Sequence, residues 1–150
     1  MTILQTATTS FKVELLQAVH SFGPTSPDTF KIALYTAAAN LGATTTVYTT
    51  TNEVSSVGTN YTAGGNTLVI NPSPTSGNNS AGTPTAFISF NTTTWTNVTF
   101  TCRGALIYNS TEGNKSVAVL DFGSDKVVSG DNFQITFPTP DANSAIVRIS

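Results

Sequence analysis

Thr99-Phe100-Thr101-Cys102-Arg103-Gly104-Ala105-Leu106-Ile107-Tyr108 decides the fold class. Phe100, Cys102, Leu106 and Tyr108 share one parity, the period of a strand with one buried face. Gly104 falls in the same register, where a missing Cβ marks a bulge or a close backbone approach. Residues 109–114 carry turn formers and read as a hairpin loop. Val117-Ala118-Val119-Leu120-Asp121-Phe122 reads as a buried strand returning from it.

The same pattern spreads outward. Trp95 and Val98 lead into the strand, and Ala86-Phe87-Ile88-Ser89-Phe90 precedes them as another. A turn through Gly130 leads to Phe133-Gln134-Ile135-Thr136-Phe137, broken by Pro138 and Pro140, and residues 145–149 form a last strand. Phe30, Ile32 and Leu34 alternate on one face, and Thr67-Leu68-Val69-Ile70 stops at Asn71-Pro72. Residues 73–84 hold almost nothing apolar and read as an exposed loop. Residues 37–51 read as a long connection, because their threonine run is stiff at χ1 and prefers extended backbone. About seven strands at short, regular spacing predict an all-β, antiparallel β-sandwich, jelly-roll or immunoglobulin-like.

One helix stands out. Ser10 is its predicted N-cap, and Phe11, Leu15, Ala18 and Phe22 follow along one face for about three turns before Gly23-Pro24. His20 lies off that stripe and reads as a partly exposed surface side chain. Residues 1–9 read as an extended arm preceding a single domain over 10–150.

Composition narrows the chemistry. Threonine, serine and asparagine make up 56 of 150 residues, against 14 charged side chains, one histidine and one cysteine. Hydrophobic content of 39% supports a packed core, so the polar excess does not mean disorder. Six scattered basic residues and a net charge of −2 argue against nucleic acid, which needs clustered cations. No apolar run is long enough to cross a membrane as a helix, and the N-terminal residues lack the charged and apolar regions of a signal peptide. Synthesis in a cytoplasm is therefore expected.

No catalytic, cofactor or metal site is expected. His20 has no nucleophile or orienting partner visible in sequence, and the eight carboxylates show no telling pair. Asp121, Asp125 and Asp131 surround Gly123 and Gly130 as turn formers, without the spacing of a calcium loop. Cys102 reads as a small buried apolar side chain. Tyr35, Tyr48, Tyr61, Trp95 and Tyr108 suit a carbohydrate-binding face or a protein interface equally well.

Five stretches carry a resemblance. Thr51-Asn52-Glu53-Val54 with Tyr61-Thr62-Ala63-Gly64-Gly65, then Val98-Thr99-Phe100, Arg103-Gly104-Ala105-Leu106-Ile107-Tyr108-Asn109 and Ala118-Val119-Leu120-Asp121-Phe122-Gly123 resemble small virion structural proteins of tailed bacteriophages. The resemblance spans most of residues 10–150. It implies a capsid decoration (cement) protein bridging and stabilising major capsid protein capsomers, with the major capsid protein and its own copies, as dimer or trimer, as partners. It also admits a tail, baseplate or fibre component with a receptor or glycan ligand. Ile3, Leu4, Phe11, Tyr48, Tyr61 and Trp95 are then the interface candidates. Deleting residues 1–9 is expected to weaken attachment without unfolding the sandwich.

Overall fold

The computed structural model describes residues 1–150. It is an all-β sandwich with one helix, 44% of residues lying in strands and 5% in helix. The elements run β1 (Thr6–Ala7), α1 (Thr9–Leu16), β2 (Phe30–Tyr35), β3 (Asn66–Thr67), β4 (Thr75–Asn78), β5 (Pro84–Ile88), β6 (Thr93–Asn109), β7 (Lys115–Ile135) and β8 (Val147–Ile149). Two antiparallel sheets result: a five-stranded one ordered β1-β7-β6-β2-β3 and a three-stranded one ordered β4-β5-β8.

The frame is one long hairpin. β6 pairs with β7 from Thr93↔Ile135 to Asn109↔Lys115, with several register shifts. The sequence predicts a turn through Gly130 and a separate strand after it. Instead, both sides of that turn pair with β6 as one strand. Gly123 (φ 74°) and Gly130 (φ 62°) kink β7 without reversing it. Glycine marks bulges as readily as turns, and only the partner strand tells them apart.

A bulge also corrects the parity of the deciding stretch. Between Cys102↔Lys126 and Gly104↔Asp121 the register slips, leaving residues 122–125 opposite Arg103 alone. Phe100 and Cys102 therefore join the main core while Leu106 and Tyr108 join a second cluster. Ala105 and Ile107 take over the first face. Gly104 is where the strands crowd: a Cβ there would lie 2.5 Å from the Leu120 carbonyl oxygen and 2.9 Å from Ile3.

The large sheet is thus covered on both faces. Phe30, Ile32 and Leu34 face the main core, which also holds Ile88 and Phe90 from the region of the small sheet. Ala33, Tyr35, Leu106, Tyr108 and Val119 face the second cluster with Ile3 and Ala39. A strand buried on both faces loses the clean alternation of a half-buried one.

Other elements shift by small amounts. Residues 73–84, expected as loop, contain the exposed edge strand β4, paired with β5 from Thr75↔Phe87 to Asn78↔Pro84. Of the strand predicted over residues 67–70 only Thr67 pairs with β2, joined by Asn66 from the predicted turn. The helix starts two residues earlier and ends six residues sooner than expected. Its N-cap is Thr8, not Ser10, because the Thr8 backbone is already held by the Val117 carbonyl (3.0 Å) and its hydroxyl accepts from the Phe11 amide. Ala18, at φ 57°, turns the chain out of the helix. Phe22 is then carried back to stack on Phe30 at 4.3 Å.

The N-terminal arm is extended, as read, but it lies on its own chain. Ile3 bridges to Leu41 in parallel, and β1 pairs with Val119 and Ala118 of β7. Ile3, 6% exposed, fills the hollow over Gly104. Ile3→Ala is therefore expected to destabilise the fold by about 3 kcal/mol. Leu4→Ala, at a side chain 61% exposed, should change stability by less than about 0.5 kcal/mol. Thermal unfolding of the two variants checks this, and equal melting temperatures would show that the arm does not contribute to the core.

Candidate functional site

The polar chemistry of the chain gathers in two clusters. The first surrounds the only histidine. His20, expected at the surface, has a side chain with 0% exposure. The early end of α1 turns it inward, where Phe11 lies 5.0 Å away, ring to ring. Asn109, at the end of β6, accepts from the amides of Thr111 (3.0 Å) and Glu112 (3.2 Å) with its side-chain oxygen. That fixes its Nδ2 as the donor, to Asp28 Oδ2 (2.7 Å) and His20 Nδ1 (3.0 Å). With Nδ1 accepting, His20 carries its proton on Nε2 and donates it to Glu14 Oε2 at 2.8 Å.

Glu14 is shared further: Lys115 Nζ reaches its Oε1 at 3.1 Å. Partial burial pushes the Glu14 carboxyl up, but the hydrogen bonds from His20 and Lys115 and the Lys115 charge outweigh it and hold the group below its ordinary range. Asp28 also accepts from the Ser21 amide at 2.8 Å. The cluster ties the helix, residues 17–29 and the closed end of the β6–β7 hairpin together. Both ring nitrogens of His20 are engaged inside the protein.

The second cluster collects all four tyrosines around Glu53. Glu53 Oε1 accepts from Tyr61 (2.7 Å) and the Gly64 amide (2.7 Å), and Oε2 accepts from Tyr48 (2.8 Å). Tyr61 in turn accepts from the Leu34 amide at 2.9 Å, and Tyr108 donates to the Gly64 carbonyl at 2.8 Å. Tyr48 stacks on Tyr108 at 4.5 Å, and Tyr35 donates to the Thr49 carbonyl at 2.6 Å. Burial foremost, with the negative Glu53 beside them, pushes these phenols up, Tyr108 to about 12. They remain protonated donors at neutral pH, as their acceptors require.

The interface candidates separate accordingly. Ile3, Phe11, Tyr61 and Trp95 are at most 6% exposed and belong to the chain's own core. Leu4 is exposed and Tyr48 half-buried. Trp95 packs 5.9 Å from Phe133 and 6.4 Å from Tyr61, and its buried Nε1 has no hydrogen-bond partner. Cys102 is buried, which together with nearby Asp125 pushes its thiol up to about 12. Asp121 accepts from the Gly123 amide (2.9 Å) and from Arg103 (3.1 Å), the two contacts that hold its carboxyl below the usual range. The His20–Asn109–Asp28 cluster has no signal in sequence, since its members are separated by up to 89 positions.

No protein-family profile, no curated protein and no solved structure matches the chain.

Proposed function

We propose that the chain is a bacteriophage virion structural protein, a capsid decoration protein that binds the major capsid protein and bridges neighbouring capsomers. It works by adding binding free energy that the bare shell lacks, which stabilises the assembled state by mass action. The observation that carries the reading is where the resembling stretches meet. Glu53, Tyr61, Gly64 and Tyr108, drawn from three of them, form one hydrogen-bonded node. Another of them, around Leu120, lies against Gly104. They are the skeleton of the fold rather than surface decoration.

The distribution of polar groups supports a binding role. The histidine nitrogens, the tyrosine hydroxyls and the carboxylates of Glu14, Asp28 and Glu53 are committed to internal hydrogen bonds. What remains outside is largely uncharged threonine, serine and asparagine. The competing fibre reading needs an exposed aromatic platform for a glycan, and Tyr35, Tyr61, Trp95 and Tyr108 are buried.

The test is copy number in purified virions, by densitometry against the major capsid protein. A number comparable to that protein supports a lattice-bound decoration protein, self-associated at the capsid's symmetry axes. A small fraction of it moves the chain to the tail or fibres. Absence from virions overturns the reading.

A further inference from the structure

The sandwich is unsealed along one side. There, the edge of the large sheet (β1 and β7) faces β8, the edge of the small one, with α1 between them. Three grooves line this side and run into one another. A groove of about 340 Å³ lies between residues 120–126 and residues 133–138 and shares Ile146 with the next. That second groove, about 620 Å³, runs between α1 and β8 and shares Leu15, Val147 and Ile149 with a third of about 130 Å³ against β5.

Two strand edges open onto this seam. β8 pairs with β5 alone, so its outer edge is free. Beyond Val119, β7 pairs with β6 alone. The Gln5 side chain touches the β7 edge only through the Asp121 amide, at 3.4 Å. Leu16 (91% exposed) and Ile149 (60%) stand beside the grooves without apolar cover. Free edges next to apolar hollows are the features that accept an added strand.

The charges decide what kind of strand. The ion pairs of the chain occupy Arg103 and Lys115, leaving Lys12, Lys31, Lys126 and Arg148 without a carboxylate partner. Three of those four, Lys12, Lys126 and Arg148, line the seam. The carboxylates lining it are Asp121, which is paired with Arg103, and the C-terminus at Ser150. The seam is therefore cationic in a chain of net charge −2.

We propose that this seam docks an extended segment of a different polypeptide, alternating apolar and acidic residues, as an added strand. Apolar side chains enter the grooves, the backbone pairs with a free edge, and the carboxylates meet Lys12, Lys126 and Arg148. The proposal stands independently of the virion reading.

The test uses the full chain and two short blocked peptides, one alternating valine with aspartate and the other valine with lysine. Calorimetry is expected to show the acidic peptide binding at least about tenfold tighter, a preference that shrinks as salt rises. Amide exchange should slow at residues 147–149 or along 120–135. Lys12→Glu with Arg148→Glu, both exposed positions, should reverse the preference while leaving the melting temperature unchanged. Equal affinity for the two peptides overturns the proposal, as does no binding of the acidic one. A dimer in sedimentation equilibrium that dissociates on Leu16→Asp also overturns it, in favour of a second copy on the seam.

Discussion

Gly65→Ala is expected to remove a large part of the stability of the fold. Gly65 sits at φ +70°, and a Cβ there would lie 1.8 Å from the Ile32 carbonyl oxygen and 2.8 Å from the Ala33 Cα. Both atoms belong to the backbone of β2, the strand next to β6 at the centre of the large sheet, so neither can rotate away. Backbone strain and overpacking together come to about 5 kcal/mol. At about 2–4 °C per kcal/mol for a domain of this size, melting falls by roughly 10–20 °C. Gly82→Ala is the matched control: φ is +77° with nothing within 4 Å of the added carbon, so only strain remains, about 1 kcal/mol. Circular dichroism melts of the two decide the matter. Equal losses would mean that the close approach to β2 is not what requires glycine.

Asn109→Leu carries the second-largest effect. The substitution keeps a side chain of similar size at a position with 0% exposure but removes four hydrogen bonds at once. His20 Nδ1 is left without a donor inside the protein. The Asp28 carboxylate keeps only its contact with the Ser21 amide. Unpaired buried groups of this kind cost about 4 kcal/mol in total. Imidazole nitrogen NMR gives an independent readout: the wild-type ring is expected to hold its proton on Nε2, and the variant to lose that fixed tautomer. A variant that melts within a few degrees of wild type, with the tautomer retained, would show that the Glu14–Lys115 side alone orients His20.

Much of the fold is legible because strand periodicity is local. Phe30, Ile32 and Leu34 announce their face within six residues, and they hold it. The hairpin loop over 109–114 was readable from its turn formers, and Asn114 adopts the positive φ (61°) that asparagine tolerates. Cys102 was readable as a buried apolar side chain from its strand neighbours. Gly104 was readable as a crowded site, though not which residue crowds it.

Other features depend on what lies opposite. The same glycine chemistry permits a turn or a kink at Gly123 and Gly130, and pairing with one continuous β6 selects the kink. Parity is exact only while register is unbroken, so the slip beside Arg103 moved Leu106 and Tyr108 to the second face. The aromatic set looked like a surface because tyrosine suits surfaces. Its burial depends on Glu53 supplying acceptors from a different loop. His20 looked exposed because a regular helix would have pointed it outward, and Ala18 ends that helix early.

By itself the sequence determined that the chain is a β-rich sandwich with one helix near its N-terminus, a small set of ionisable groups and a polar, weakly charged exterior. Those properties follow from composition and from spacings of a few residues. The tertiary structure alone decided that the N-terminal segment closes on its own sheet, that the large sheet is buried on both faces, and that one side of the sandwich stays open between β8 and the edge of β7. Each of these depends on contacts between residues tens of positions apart, and no local period records which distant segment fills a hollow or leaves an edge unpaired.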